Sequence, residues 1–166
     1  MVDNIRWQSC LEKGRISEQA VELFFRKHYP YYCYKSVTND EGFQMAGIDG
    51  LIIKRNTNEY RKLEIKSGID NNKRIIIEKL DGAREGWLYT TKTNFMIWYN
   101  NKFDTYYVLL RFPEFKEWLI HDPGAEKYCY EFINKDDYPK ISVCWWVDIL
   151  RIQKELAPSW IIRIDN

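Results

Sequence analysis

GIDGLIIKRNTNEYRKLEIKSG, Gly47 to Gly68, holds two apolar runs that carry an aspartate, a glutamate and a lysine where a plain core strand has none. The polar segment Asn56-Thr57-Asn58 separates the runs at the length of a hairpin connection. Strands over Ala46 to Lys54 and Tyr60 to Lys66, turning between Asn56 and Thr57, set Asp49 directly opposite Glu64. Opposed Cβ atoms stand about 4.5–5.5 Å apart, so two carboxylates meet on one face. Lys66 lies two residues beyond Glu64 and shares that face, about 7 Å along the strand.

Two carboxylates this close repel, and one takes up a proton unless a cation sits between them. A hard divalent ion, Mg²⁺ or Mn²⁺, suits oxygen ligands and keeps positions open for water and phosphate oxygens. Asp49 and Glu64 are the expected metal ligands, and the carbonyl of Ile65 is an additional one. Lys66 is placed to hold or deprotonate an attacking water and to offset charge on the phosphate. The expected chemistry is phosphodiester cleavage.

The rest of the chain bounds this reading. At 166 residues and 45% hydrophobic content, one globular domain with a real core is expected. The net charge of +1, from 25 basic and 24 acidic residues, restricts any nucleic-acid contact to a local patch. Cys10, Cys33, Cys129 and Cys144 stand far apart, without zinc-site spacing, and are expected as free thiols in a reducing cytoplasm. No basic-plus-apolar leader opens the sequence and no run has the length of a membrane span, so no membrane association is expected.

Ser17 is a suitable cap for a helix with Ala20, Val21, Phe24 and Phe25 at helical spacing, ending before Pro30. Extended segments follow at Tyr31 to Val37, Ala46 to Lys54, Tyr60 to Lys66 and Lys73 to Glu78. A short helix over Gly82 to Thr91, a hairpin of Asn94 to Tyr99 with Asp104 to Phe112 around Asn100-Asn101, and a helix from Pro113 come next. A strand at Ile141 to Val147, helical turns at Asp148 to Leu156 and a strand at Trp160 to Ile164 complete an α/β chain with a central mixed sheet.

The pair Gly47-Ile48-Asp49 and Glu64-Ile65-Lys66 resembles the PD-(D/E)xK nuclease superfamily, with Ile48 where the nominal motif has proline. Upstream, Lys13-Gly14-Arg15-Ile16-Ser17-Glu18 followed by Ala20-Val21 is similar to the N-terminal helix motif of archaeal-type Holliday junction resolvases. By that resemblance Glu18 supplies a helix acid near the metal, with Glu22, one turn on, equally open. Gln44 and the segments Ile77-Glu78 and Trp87 to Thr91 are similar to phage and mobile-element members. The resemblance implies a restriction-endonuclease-like αβββαβ core over about 13–99, its mixed sheet flanked by helices, with 100–166 a C-terminal α+β extension of the same domain.

It also implies a metal-dependent DNA endonuclease. Cutting both strands of a duplex is most simply done by a homodimer. The alternatives are a non-catalytic module of this fold that binds nucleic acid or a partner protein, and a nuclease toxin held by an inhibitor protein. Lys54, Arg55, Arg61, Lys62, Lys73, Arg74, Lys79 and Arg84 are expected around the site, where they suit phosphate contact. Five of the seven tryptophans, Trp87, Trp98, Trp118, Trp145 and Trp146, are expected in the core rather than as base-stacking platforms.

Overall fold

Ser17 is not a helix cap. In the computed structural model, which describes residues 2–57, 59–67, 69, 72–100, 106–134 and 141–165, it lies inside one long helix, α1, Val2–His28. Ser17 is itself buried at 7% exposure, and the helix passes through Gly14 without a break. Upstream, Leu11, Glu12, Lys13 and Arg15 are good helix formers, and the element extends past a residue whose side chain merely permits a cap.

The strands β1, Tyr32–Ser36, β2, Gly50–Lys54, and β3, Tyr60–Lys66, follow. The sequence places the start of β2 four residues too early, because a short helix, α2, Glu41–Met45, occupies the approach. Asp40 caps α2 by accepting from the Phe43 N–H at 3.2 Å. The chain then turns through Gly47, at φ +65°, a left-handed conformation that glycine adopts without penalty.

Beyond β3 come β4, Ile75–Asp81, and β5, Arg84–Glu85, then a single helical turn α3, Trp87–Thr90. The helix expected over Gly82 to Thr91 is therefore reduced to the single turn of α3, since Gly82 at φ +63° and its neighbours make a tight turn into the two-residue strand β5. β6, Phe95–Asn100, pairs with β7, Tyr106–Arg111; the connection around Asn100-Asn101 falls on residues outside the described set. Then follow α4, Phe112–His121, with Pro113 in its first turn, a 3₁₀ turn at Ala125–Tyr128, and β8, Cys129–Asn134. β9, Ser142–Val147, α5, Ile149–Leu156, and β10, Ile161–Asp165, end the chain.

Two sheets result. The larger has the order β1-β2-β3-β6-β7-β10, and it is mixed, since β3 and β6 run parallel while the other pairings are antiparallel. The second, of order β5-β4-β9-β8, is antiparallel throughout and went unforeseen in the sequence along with β8. The last third of the chain enters both sheets, through β7 and β10 in the first and β8 and β9 in the second.

α1 covers one face of the large sheet with Val21, Phe24 and Phe25 against Ile52, Leu63, Ile97 and Leu109. The opposite face shares a core with the second sheet, α4 and α5, built on Met96, Trp98, Val108 and Leu110. Trp98 is fully buried there, with Trp87, Trp118 and Trp145 packed on the same core. Among the described residues no helix is long and apolar enough to cross a membrane.

Candidate active site

The hairpin register is the one its turn length dictates. Gly50 pairs with Leu63, Leu51 with Lys62, Ile52 with Arg61 and Ile53 with Tyr60. One step further along that register, Asp49 is level with Glu64. Four hydrogen bonds fix Asp49 between the flanking strands. Its N–H donates to Leu63 O at 3.0 Å, while its carbonyl accepts from Val37 N–H at 3.0 Å and from the Tyr34 hydroxyl at 3.3 Å. The fourth runs from the Ile65 N–H to Asp49 Oδ2 at 2.6 Å. The carboxylate thus stands in for a strand partner at the end of the β2–β3 ladder.

Glu64 is buried at 3% exposure, on the face away from α1. Alternation requires this: Leu63 goes fully into the α1 side, so Glu64 must go to the other. Lys66, two residues on, forms an ion pair with Glu64 Oε1. Its ammonium also sits 4.8 Å from the centre of the Trp87 ring, which α3 lays over this face. At the end of α3 the Thr91 hydroxyl donates to Glu64 Oε2 at 2.6 Å, so both carboxylate oxygens are engaged.

The approach of Thr91 explains Gly47. A Cβ on Gly47 would come within 2.6 Å of Thr91 Oγ1 and 3.5 Å of Glu64 Oε2. The Lys92 N–H donates to Ala46 O at 3.1 Å and ties the end of α3 to the same turn. Gly50 is required for a related reason: a Cβ there would fall 2.1 Å from Cε2 of Tyr34.

Burial pushes the carboxyl groups of Asp49 and Glu64 above their ordinary values of 3.8 and 4.5. The Ile65 N–H and the Lys66 charge offset part of this at Asp49, and Lys66 and Thr91 do so at Glu64. At Glu64 the nearby charge of Asp49 adds to the upward shift.

Glu18 reaches the same end of the sheet from α1. It accepts from Ser36 Oγ at 2.8 Å and lines, with Arg15, Gln19, Glu22, Tyr34 and Ser36, a small cavity of about 220 Å³. Tyr34 joins this cavity to Asp49 through its hydroxyl. Burial, reinforced by the charge of Glu18, lifts its phenol above the ordinary tyrosine range. Glu22 lines the cavity too, but it is half committed to Arg26 through an i,i+4 ion pair at 3.0 Å.

The structure therefore brings Asp49, Glu64, Ile65 and Lys66 to one strand end, with Glu18 one side chain removed. Among the described residues no cluster of three or more His, Cys, Asp or Glu side chains forms a metal cage. The side-chain donors present are carboxylate oxygens, which is the donor chemistry of a hard ion that retains its water. Two neighbouring buried carboxylates, whose ionisation burial opposes, fit such an ion.

Four of the basic residues expected around the site, Lys54, Arg61, Arg74 and Lys79, lie away from it. Lys54 and Arg61 lie toward the far end of the β2–β3 hairpin, against Tyr32 and Phe95. Arg74 lies over the rings of Tyr130 and Trp146, and Lys79 pairs with Glu131 at 2.8 Å on the second sheet. Sequence proximity to the hairpin implied one patch, and the departure of β4 into another sheet divides it.

Thr91 and Tyr34 carried no sequence signal as site residues. The glycines at Gly47 and Gly50 flanking an aspartate were the available hint. The chain matches no protein-family model, and no curated protein or solved structure is similar to it.

Proposed function

We propose that this protein is a divalent-metal-dependent DNA endonuclease with a PD-(D/E)xK-type site on a restriction-endonuclease-like core. The observation that carries the reading is the in-register meeting of Asp49 and Glu64 at one strand end, with Lys66 on the glutamate. Support also comes from the element order, in which α1, β1, β2 and β3 precede α3 and β6, with β6 parallel to β3.

In this reading Asp49 and Glu64 hold Mg²⁺ or Mn²⁺, with the Ile65 carbonyl as a further oxygen donor. When bound, the ion supplies Lewis-acid activation of the phosphate and a water of lowered pKa. Asp49 is held by main-chain bonds on both sides, so it keeps its aim without reorganisation. Thr91 fixes the rotamer of Glu64. Lys66 is only 27% exposed at its side chain, positioned to orient the attacking water and to offset charge on the phosphate. Glu18 orders water on the α1 side of the site.

The test is incubation of the purified protein with supercoiled plasmid, a single-stranded circle and a four-way junction in Mg²⁺, Mn²⁺ or EDTA. Glu64→Ala and Lys66→Ala serve as controls. Cleavage that needs metal and disappears in both variants is expected. DNA binding without cleavage, unchanged by either substitution, would replace this reading with that of a binding module. A growth defect on expression that Glu64→Ala relieves would assign the nuclease to a toxin.

A further inference from the structure

A second cavity lies on the α1 face of the large sheet, the face opposite Glu64. α1 ends at His28, short of the hairpin end of β2 and β3, and leaves there a recess of about 320 Å³. That volume falls within the range of small-molecule sites, about 300–1,000 Å³. Its walls are aromatic: Phe25 and Tyr29, whose rings meet at 5.7 Å and 44°, with Tyr32 and Phe95. The remaining floor is aliphatic, from Ile52 and Leu109.

Among the described residues the charged members of the lining are Lys54, Arg61 and Arg111 against a single acid, Glu59. The local excess of two positive charges exceeds the +1 of the entire chain. Arg111 stands 4.0 Å from Glu114, at the limit of an ion pair, and the Arg61 guanidinium donates to the neighbouring Tyr60 carbonyl at 3.1 Å. These cations therefore keep donors for an incoming anion. The basic last turn of α1, Arg26, Lys27 and His28, cancels the negative end of the helix at the cavity's edge.

The geometry points to this recess as a nucleotide site that takes a nucleoside monophosphate. The aromatic walls receive the planar base, which stacks on rings of any sequence context. Lys54, Arg61 and Arg111 take the phosphate, with arginine forks suited to its oxygens. Glu59 selects between kinds of anion. It repels a simple fatty carboxylate, which has no hydrogen-bond donor to offer, and accepts from the hydroxyl or amino donors of a nucleoside.

The site is distinct from the carboxylate pair: Arg61 and Leu63 face α1, whereas Glu64 faces away. It stands whether or not the protein cleaves DNA.

Isothermal titration of the intact chain with AMP, GMP, CMP and UMP tests it, beside adenosine, inorganic phosphate and octanoate. At least one nucleotide is expected to bind about tenfold or more tightly than adenosine, phosphate or octanoate. Lys54→Gln and Arg61→Gln, both exposed positions, each weaken that nucleotide about tenfold, while Glu64→Ala leaves its affinity unchanged. Circular dichroism of each variant establishes that the fold is intact. Absence of binding by all four nucleotides at millimolar concentration overturns the assignment. So does octanoate or adenosine matching the best nucleotide, or nucleotide binding that neither Lys54→Gln nor Arg61→Gln alters.

Discussion

The main-chain N–H of Ile65 donates to Asp49 Oδ2 at 2.6 Å, so a carboxylate from one strand closes the hydrogen-bond ladder of the next. Asp49 thereby has a structural duty as well as its proposed chemical one, and the two separate by substitution. Asp49→Asn keeps an acceptor for Ile65 and is expected to fold with near wild-type stability while losing metal-dependent cleavage. Asp49→Ala leaves that N–H without its partner and is expected to cost about 1–3 kcal/mol more, read as a lower midpoint in urea denaturation.

The contribution of Asp49 and Glu64 to stability should fall as pH rises through the carboxylate range in the absence of metal. The carboxyl groups of Asp49 and Glu64 bind protons more tightly folded than unfolded, because burial raises both. Their protonation therefore favours the native state below the raised values, and that contribution is lost as pH climbs past 3.8 and 4.5 toward them. Melting temperatures measured against pH in EDTA should show this decline, flattened in the Asp49→Asn, Glu64→Gln double variant. Millimolar Mg²⁺ should raise the wild-type melting temperature at neutral pH and leave the double variant unmoved. An equal Mg²⁺ response in both proteins would remove the ion from this pair.

Thr91 should prove a positioning residue for Glu64. Thr91→Ser retains the donor and is expected to preserve metal affinity. Thr91→Val removes the 2.6 Å hydrogen bond to a buried carboxylate, and a loss of about 10–100-fold in Mg²⁺ affinity is expected. Titration of the metal by calorimetry distinguishes this from a loss of stability alone, which would lower the melting point without changing affinity.

Gly50 and Tyr34 should be coupled. Alanine at Gly50 would place its Cβ 2.1 Å from the Tyr34 ring, expelling a side chain whose hydroxyl reaches the Asp49 carbonyl at 3.3 Å. Gly50→Ala is expected to destabilise by about 1–3 kcal/mol. Shortening Tyr34 to alanine removes the clash, so the double variant should be less destabilised than the sum of the singles by more than about 0.5 kcal/mol. Additive denaturation energies would show that the ring does not need the glycine.

Gly47 offers a backbone test of the same site. At φ +65°, with Thr91 Oγ1 2.6 Å from where a Cβ would lie, Gly47→Ala meets both conformational strain and a steric clash. A destabilisation above about 1 kcal/mol is expected. Combining it with Thr91→Ser should relieve little, because the hydroxyl remains in place.

What the sequence determined by itself was local. The period of two in KLEIKSG and the length of the polar turn place Asp49 level with Glu64, and the structure has that register without a shift. The bounds of β3 and the start of the helix at Pro113 are legible for the same reason, since periodicity and turn chemistry act between near neighbours. Ser17 misleads because a capping side chain only permits a helix start, and the residues before it are also good helix formers.

Tertiary structure alone decided what surrounds the pair. Thr91 is 27 residues from Glu64, and its hydroxyl arrives there only because α3 crosses the sheet before β6 joins β3 in parallel. The eight basic residues that cluster in sequence part company when β4 leaves for the second sheet. Strand choice between two sheets depends on long-range burial against α4, α5 and β9, which no local pattern encodes. The sequence thus determined which charges meet across one hairpin, and the packing of distant segments determined which side chains hold them, which stay apart and where a second cavity opens.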